Sequence, residues 1–329
     1  MSKCTYLEAL KKALYEEMYR DENVIAYGED ITRYGFGVNK GLVDKFGKER
    51  IRNTPISEGA IIGTAVGAAM RGMRPVVEIM FADFIMVGMD QILNQAAKIS
   101  YLSNGEWSVP MVIRTPEGSR WFGGGAQHSQ TVHSMFINIP GIKIVTPSDA
   151  NDAKGLLKSA IRDNNPVLFF EHKQLYFKEC EVPEEEYLLP LGKASIKREG
   201  NDITVVATSW MVAHCLNVAE ELKNRVDIEV IDPRTLRPLD KETIINSVKK
   251  TGRLLVVDES PVTGGIHAEI ISAVTEKEDT FRCIKCPPKR IGSLDTPIPF
   301  SESLEREVIP TKEKIKKEIM NIFSKQTYK

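Results

Sequence analysis

The chain has 329 residues, of which 42% are hydrophobic and 27% charged, so it has the composition of an ordinary globular protein and the length for two domains. Its 44 Lys and Arg residues nearly balance 45 Asp and Glu residues, and a net charge of -1 argues against binding to nucleic acid or anionic lipid. There is no run of eighteen apolar residues and no signal-peptide core, and the five cysteines are scattered, so we expect a cytoplasmic protein with reduced thiols and no membrane partner.

The first half of the chain alternates strand and helix patterns. Thr5 and Glu8 form a predicted capping box for an opening amphipathic helix. Later predicted strands cover 24–27, 75–79, 109–114, 142–145 and 167–170, and predicted helices cover 58–70, 84–102 and the segment after Ser148. Strands that alternate with helices predict an α/β domain with a mostly parallel sheet and helices on both faces.

The alternation stops after residue 170 and resumes near residue 200. We therefore predict a first domain at 1–175, a linker at 176–195 and a second, smaller α/β domain at 196–329. The predicted strands of the second domain are 203–208, 226–231 and 253–258, and its predicted helices are 210–224, 240–250 and 265–276. This domain carries no nucleophile, metal cluster or phosphate loop motif, which fits an assembly surface better than an active site.

Glu58 is the first candidate for chemistry. It precedes an uncharged run of small and apolar residues that extends to Met70 and predicts a buried helix. The helix dipole favours a carboxylate anion at this end, whereas an apolar surround favours the protonated carboxyl. The pattern alone leaves two alternatives, a simple N-terminal helix charge or an acid tuned to hold a proton.

A glycine-rich loop, Gly123-Gly124-Gly125, leads into His128. The loop follows a strand of the predicted parallel sheet, and open α/β sheets bind ligands beyond the carboxyl ends of their strands. It matches neither the dinucleotide fingerprint nor the phosphate loop. A flexible connection and a structural histidine are the alternatives here, and His133, which lacks the glycine context, is interpreted as structural.

Two further features have a simple and a functional interpretation. Phe81 and Phe84 open the helix predicted at 84–102, where core packing is the simpler role and a pocket wall the alternative. Pro166 stops another helix, whose last carbonyls lack intrahelical partners and, with Asp163, suit a hard cation. An ordinary solvated helix end is the simpler interpretation of that segment.

A set of short motifs occurs in order over nearly the whole chain. They are Thr54-Pro55-Ile56-Ser57-Glu58, Phe81-Ala82-Asp83-Phe84, Asp90-Gln91-Ile92, Gln127-His128-Ser129-Gln130, Pro140-Gly141-Ile142-Lys143-Ile144-Val145, Asp232-Pro233-Arg234-Thr235-Leu236 and Asp295-Thr296-Pro297-Ile298-Pro299-Phe300. Together they resemble the beta subunit of the thiamine-diphosphate-dependent decarboxylating component of 2-oxo acid dehydrogenase complexes. The resemblance implies a transketolase-like pyrimidine-binding domain followed by a transketolase C-terminal domain. It also implies oxidative decarboxylation of pyruvate, the first choice, or of branched-chain 2-oxo acids, or a corresponding reaction of acetoin.

The resemblance also implies roles for particular residues. Glu58 matches the glutamate that hydrogen-bonds the aminopyrimidine ring of thiamine diphosphate and promotes ionisation of its reactive thiazolium carbon. Phe84 matches the aromatic residue that packs against the pyrimidine. His128 matches a histidine in the substrate channel, which orients or protonates intermediates and assists acyl transfer to a lipoyl group. The implied potassium site comprises Met111, Ala160, Ile161, Asp163 and Asn165.

The chain lacks the motif that holds magnesium and the diphosphate in thiamine enzymes, a Gly-Asp-Gly followed by a distant Asn. The resemblance implies that an alpha subunit supplies this half of the site, in a heterotetramer of two alpha and two beta chains. A lipoyl-bearing acyltransferase core is the further implied partner. His133 and the segment 121–123 depart from the family pattern on either side of His128, which leaves the size and polarity of the substrate open.

Two alternatives remain from the sequence. A single-chain transketolase or deoxyxylulose-phosphate synthase shares the fold, but it requires the diphosphate-binding domain that this chain lacks. A non-catalytic assembly subunit would retain the fold in order to bind the lipoyl-bearing core. Substitution of Glu58 distinguishes the assembly subunit from the catalytic one.

Overall fold

The computed structural model describes residues 1–32, 36–119 and 124–324, and the chain divides into two compact units. The first unit comprises Met1–Glu117 and Phe136–Leu191, and the second comprises Gly118–Met135 and Gly192–Lys329. The alternation of strands and helices does not indicate that the segment 118–135 belongs with the second unit. In the part of the chain that the structure describes, no helix is long and apolar enough to cross a membrane.

The first unit contains the elements expected of an α/β domain. Its strands are β1 (Ser2–Thr5), β2 (Val24–Glu29), β3 (Ile51–Thr54), β4 (Arg74–Glu78), β5 (Val112–Glu117), β6 (Lys143–Val145), β7 (Val167–His172) and β8 (Glu179–Val182). Its α-helices are α1 (Tyr6–Arg20), α2 (Leu42–Phe46), α3 (Glu58–Met70), α4 (Ile99–Leu102) and α5 (Ala150–Arg162).

The main sheet of the first unit is parallel. Its strands lie in the order β6-β7-β5-β4-β2-β3, and each neighbouring pair is parallel. The predicted parallel sheet is therefore confirmed. A separate antiparallel pair joins β1 to β8, so part of the segment expected to be a linker forms a strand.

The opening helix forms as its sequence predicts. Thr5 Oγ1 accepts a hydrogen bond from the amide of Glu8 (3.2 Å), and Glu8 Oε2 accepts one from the amide of Thr5 (2.9 Å), which confirms the capping box. The apolar face of α1 is buried through Leu10, Leu14 and Met18.

The helix predicted at 84–102 is wrong in form. The chain instead makes a 3₁₀ helix at Ala82–Gly88, a π-helical stretch at Gln91–Ala96 and the short helix α4. The 3₁₀ helix packs closely on α3 at its last residue, where a Cβ on Gly88 would lie 2.4 Å from Ile62 Cδ1. A side chain at position 88 would therefore force the Ile62 side chain to move.

The second unit has its own sheet. The strands of this unit are β9 (Ser195–Arg198), β10 (Ile203–Ala207), β11 (Ile228–Asp232), β12 (Thr235–Arg237), β13 (Leu254–Pro261) and β14 (Lys289–Ser293), and all of them except β12 form this sheet. Its helices are α6 (Trp210–Leu222), α7 (Lys241–Thr251), α8 (Ile266–Thr275), α9 (Glu278–Phe281), α10 (Glu302–Val308) and α11 (Lys312–Ser324). The sheet order is β14-β13-β10-β11-β9, and all pairs except β11 with β9 are parallel. The three strands and three helices predicted for this unit are confirmed.

Candidate active site

The carboxyl edge of the sheet in the first unit brings Glu58 and Phe84 onto neighbouring elements. Strands β3, β2 and β4 are adjacent and parallel, so their carboxyl ends lie at one edge. Glu58 follows β3 as the first residue of α3, and Phe84 follows β4 in the 3₁₀ helix. The two elements are in contact, since a Cβ on Gly88 would lie 3.3 Å from the carbonyl oxygen of Glu58.

Glu58 is half-buried and has an acidic neighbour that the sequence pattern does not reveal. Burial, and next the negative charge of Glu58, raise the pKa of Glu29 at the end of β2. The two carboxyl groups are thus near enough to interact, and Glu29 stays protonated to a higher pH than an ordinary glutamate. The adjacency of β2 and β3, which only the strand order shows, is the signal that identifies Glu29.

The helix that begins at Glu58 is not buried on all sides. Its buried residues are Ile61, Ile62, Ala65, Val66 and Ala69. Ala60, Thr64 and Gly67 form an exposed stripe on another face, and a Cβ on Gly67 would meet no described atom within 4 Å. The expectation of a fully buried helix is therefore wrong for the single chain, because small residues line a side that the described part of the chain does not cover.

Phe84 belongs to a group of aromatic side chains. Its ring centroid lies 6.4 Å from that of Phe81 at an interplanar angle of 80°, and Phe81 in turn lies 5.5 Å from Phe36. Phe36 continues the group to the buried Tyr176 at 5.4 Å. Edge-to-face contacts of this kind fix ring orientation. Phe84 is half-buried.

A buried charge network lies behind this edge. Arg114 on β5 donates to Glu171 Oε1 (2.7 Å) and Oε2 (3.0 Å) and to Glu78 Oε2 (3.0 Å). Asn39 also donates to Glu78 (2.9 Å), and the Tyr176 hydroxyl donates to Glu171 (2.9 Å). All five residues are at most 4% exposed. The sequence patterns do not predict this network, although charged residues stand at the ends of the apolar strand runs.

The pKa values in the network follow from burial and charge. Burial alone would lower the pKa of Arg114, but the charges of Glu171 and Glu78 raise it above its usual range. Burial raises the pKa of Glu171, and the charge of Arg114 opposes that rise. The single guanidinium thus holds two buried carboxyl groups in place at the ends of β4 and β7.

His128 lies in the second unit, on a segment that we call the His128 loop (residues 118–135). Part of the predicted glycine run, together with the segment 121–123, lies outside the described residues, but Gly124 and Gly125 lie within them. Gly125 has a φ of 64°, and a Cβ on Gly124 would lie 2.0 Å from Ser129 Oγ. The left-handed φ at Gly125 favours glycine, and a side chain at Gly124 would force the Ser129 side chain to move, so this part of the loop forms a tight turn.

His133 is the second histidine of the His128 loop. His133 is buried, and its Nε2 lies 3.1 Å from Asp258 Oδ2. This agrees with the interpretation of His133 as structural. His128 itself is half-buried.

The predicted cation residues lie at the opposite edge of the first sheet from Glu58. Met111 and Asp163 precede the amino ends of β5 and β7. Arg74 Nη1 donates to the carbonyl oxygens of Ile161 (2.9 Å) and Asp163 (3.0 Å). The carbonyl of Met111 accepts from Val167 N (2.9 Å).

Other bonds at this edge also involve the predicted cation residues. The carbonyl of Ala160 accepts from the amide of Asp163 (3.3 Å). The Asp163 carboxylate accepts from Asn165 N (2.8 Å) and bonds to the ammonium of Lys143. The oxygens are of the type that a hard cation binds, and each carbonyl keeps a second lone pair.

Comparison with known proteins gives one consistent result. Residues 2–178 match the family model "Transketolase, pyrimidine binding domain" and residues 192–315 match "Transketolase, C-terminal domain". The predicted transketolase-like fold is thereby confirmed.

Relatives of three named activities are similar over almost the whole chain. The 2-oxoisovalerate dehydrogenase subunit beta of Bacillus subtilis is 45% identical over 96% of this chain and 97% of its own length. The acetoin:2,6-dichlorophenolindophenol oxidoreductase subunit beta of the same organism is 44% identical over 94% of both chains. The mitochondrial pyruvate dehydrogenase E1 component subunit beta-2 of Oryza sativa is 45% identical over 93% of this chain and 82% of its own.

A solved structure supports the fold. The structure titled "Split gene transketolase, inactive beta4 tetramer" superposes with a TM-score of 0.80, covers 97% of this chain and 98% of its own, and is 22% identical in sequence. At this identity the likeness concerns the fold alone.

Proposed function

Since the chain belongs to the family of beta subunits of 2-oxo acid dehydrogenases, we propose that it is the beta half of a thiamine-diphosphate-dependent enzyme that decarboxylates a short 2-oxo acid and passes the acyl group to a lipoyl arm. One observation carries the proposal. Glu58 begins α3 at the carboxyl edge of the sheet, beside a second carboxyl, Glu29, whose pKa its charge raises. An acidic pair at this edge is suited to holding and moving a proton.

The residues at this edge fit the pyrimidine half of the cofactor. Glu58 supplies a carboxyl for a ring nitrogen, and Phe84 supplies an aromatic face. Thr54 Oγ1, at the end of β3, is buried and lacks a hydrogen-bond partner among the described residues. An orphaned hydroxyl at this position is consistent with a ligand that completes the site.

The chemistry divides between cofactor and protein. When bound, thiamine diphosphate supplies the nucleophilic carbon and the electron sink for decarboxylation. Glu58 would hold or accept a proton at its carboxyl in a hydrogen bond to the pyrimidine ring, and Phe84 would pack against that ring. His128 orients the substrate or gives it a proton during acyl transfer.

We propose that the substrate is pyruvate, with branched-chain 2-oxo acids and the hydroxyketone acetoin as the alternatives. Identities of 44% and 45% to relatives of all three activities do not separate them. Glu171 and Tyr176, at the end of β7 and just beyond it, belong to the buried Arg114 network and therefore report on packing rather than on the substrate.

An alpha subunit supplies the other half of the site in this proposal. The chain lacks a Gly-Asp-Gly motif for magnesium and the diphosphate, so the alpha chain would hold both. We place the two chains in a cytoplasmic heterotetramer that docks on a lipoyl-bearing acyltransferase core. The uncovered stripe of α3, at Ala60, Thr64 and Gly67, is consistent with burial in such an assembly.

We expect the beta chain alone to show no turnover and the alpha–beta mixture to be active. The reason is that the beta chain encodes only the pyrimidine half of the cofactor site. The assay follows reduction of 2,6-dichlorophenolindophenol during oxidative decarboxylation of pyruvate or branched-chain 2-oxo acids, or oxidative cleavage of acetoin, by each chain and by the mixture, with magnesium and thiamine diphosphate. Equal rates for the beta chain alone and for the mixture would contradict the shared site. If a substrate other than pyruvate has the highest kcat/KM, the assignment of pyruvate is wrong.

We also propose that potassium binds at the amino edge of the first sheet, through the second lone pairs of the Ile161 and Asp163 carbonyls. Potassium chloride at about 100 mM should raise the Tm of the beta chain by about 2 °C over lithium chloride at the same concentration, because ligand binding stabilises the folded state. Differential scanning calorimetry measures the shift, and Asp163→Asn should reduce it. Identical Tm values in both salts would show that potassium does not bind here and that Arg74 is the cation bonded to these carbonyls.

A further inference from the structure

Both described ends of the His128 loop are attached to the same strand, β13. At one end, Ser119 donates its amide to Glu259 Oε1 (2.5 Å) and its hydroxyl to Glu259 Oε2 (3.3 Å). At the other end, Thr131 Oγ1 donates to Glu259 Oε1 (3.3 Å). One buried carboxylate thus joins two points that are twelve residues apart in the chain.

The preceding residue, Asp258, makes a second attachment through His133. His133 Nε2 lies 3.1 Å from Asp258 Oδ2, and both side chains are 1% exposed. Asp258 Oδ1 accepts from Thr208 Oγ1 (2.5 Å), and Oδ2 accepts from Ser260 Oγ. Burial alone would raise the pKa of Asp258, but the charges of His133 and His267 and the hydrogen bonds hold it far below its usual range. Asp258 is therefore a fixed anion toward which His133 directs a proton.

Consecutive strand residues normally point to opposite faces, yet Asp258 and Glu259 both contact the His128 loop. The pairing of β13 with β14 shifts register between Val257 and Pro261. An irregularity of this kind bends a strand and redirects side chains. The break in register thus allows two neighbouring acids to reach one loop.

The His128 loop also borders a cavity. A cavity of about 290 Å³ is lined by Ser129–Val132, Ser134 and Met135 of the loop, by Glu259 and by the Gly264–Gly265 turn before α8. Ser134 makes a further contact, with its Oγ 3.3 Å from Ser260 Oγ and 3.1 Å from the amide of Ile266. The hydrogen bonds to Asp258 and Glu259 therefore hold the loop at the rim of an open space.

We propose that His133 and Asp258 are positioning residues for His128, and that their contact fixes the loop that carries this histidine. The inference rests on the proposed function, because the position of His128 matters only if His128 acts on the substrate. If His128 acts on the substrate, loss of the His133–Asp258 contact allows the loop to move toward the cavity and displaces His128 from its working position. A displacement of about 1 Å lowers rates by as much as a hundredfold.

The test uses the alpha–beta heterotetramer with three beta variants. His133→Ala removes the contact, His133→Gln keeps an amide donor that can reach Asp258, and Ser247→Ala is the control. Ser247 is buried in the same unit and bonds to Thr204 (2.6 Å), so its loss removes one buried hydrogen bond away from the loop. We expect His133→Ala to lower kcat about tenfold with KM unchanged. His133→Gln should recover most of that loss, and Ser247→Ala should match the wild type.

A double variant and a readout independent of activity complete the test. In the double variant His133→Ala with Asp258→Asn, the loss in kcat should be smaller than the product of the two single losses, because both changes remove the His133–Asp258 contact, although Asp258→Asn also alters the bonds to Thr208 and Ser260. Hydrogen exchange of residues 129–135 in the full-length beta chain should be at least about tenfold faster in His133→Ala than in Ser247→Ala. Faster exchange without a change in kcat would overturn the positioning role, as would unchanged exchange. A wild-type heterotetramer without any turnover would instead contradict the proposed function, while exchange would still measure the attachment.

Discussion

Glu58→Gln is expected to lower kcat of the reconstituted heterotetramer by about three orders of magnitude while leaving assembly intact. General acid–base groups contribute about 10²- to 10⁴-fold, and glutamine keeps the size and hydrogen-bonding capacity of glutamate but cannot hold and release an acidic proton. Glu58 is half-buried at the first position of α3, so the loss of its charge should cost only about 0.5 kcal/mol of stability through the helix dipole. Steady-state decarboxylation and size-exclusion chromatography measure the two effects.

Ser57→Ala is the matched control for Glu58→Gln. Ser57 is the exposed residue before α3, and its side chain makes no capping hydrogen bond. We expect its variant to keep the wild-type rate within about twofold, since it removes no group from the site. Normal turnover in Glu58→Gln would favour the non-catalytic assembly subunit. A loss of assembly would show that the carboxylate acts as a structural charge.

The sequence predicts the elements of this fold well where they are long and regular. The capping box at Thr5, the parallel strands and the three strand–helix pairs of the second unit each follow from a local pattern. The pairing of β1 with β8 does not, because both strands are short and their contact joins the two ends of the first unit's sequence. The segment after Phe84 departs from a regular helix because its close approach to Ile62 depends on tertiary packing.

The site residues also fall into two groups, those that a local sequence pattern predicts and those that only the tertiary structure reveals. Glu58 stands out from the sequence because a lone charge precedes an apolar run, and His128 because it follows a glycine turn. Glu29 joins Glu58 only through strand order, and Glu259 reaches the His128 loop only through a contact across 140 residues. Contacts of this range have no periodic signature in a sequence. They also explain why the second unit, which was expected to serve assembly, holds the candidate histidine.

Arg114→Met is expected to destabilise the beta chain by about 4 kcal/mol, which corresponds to a fall in Tm of roughly 8 °C. Methionine fills much of the volume of arginine, but it leaves Glu78 and Glu171 as two buried carboxyl groups without a cation. Glu78 already has one buried oxygen, Oε1, without a hydrogen-bond partner among the described residues. Removing one member of a buried ion pair costs far more than removing an exposed one.

The pH dependence of this variant has a definite sign. Burial already raises the pKa of Glu171, and the charge of Arg114 is what limits the rise, so the folded-state pKa should increase further in Arg114→Met. The folded state then binds more protons than the unfolded state, and stability decreases as pH rises from the unfolded pKa of about 4.3 toward the folded value. Thermal unfolding should therefore show a larger deficit against the wild type at pH 8 than at pH 5. A deficit that grows toward acid pH would contradict this account.

Arg52→Met is the matched control, because Arg52 pairs with Glu49 on the surface, where the two side chains are 58% and 94% exposed. Its loss should change the stability by no more than about 0.5 kcal/mol.

The two arginine variants also differ in their link to the candidate active site. Glu78 ends β4 immediately before the segment that carries Phe84, so Arg114→Met should weaken cofactor binding by the heterotetramer as well as lower the Tm. Isothermal titration with thiamine diphosphate tests this, and unchanged affinity together with a lowered Tm would confine the Arg114 network to a purely structural role.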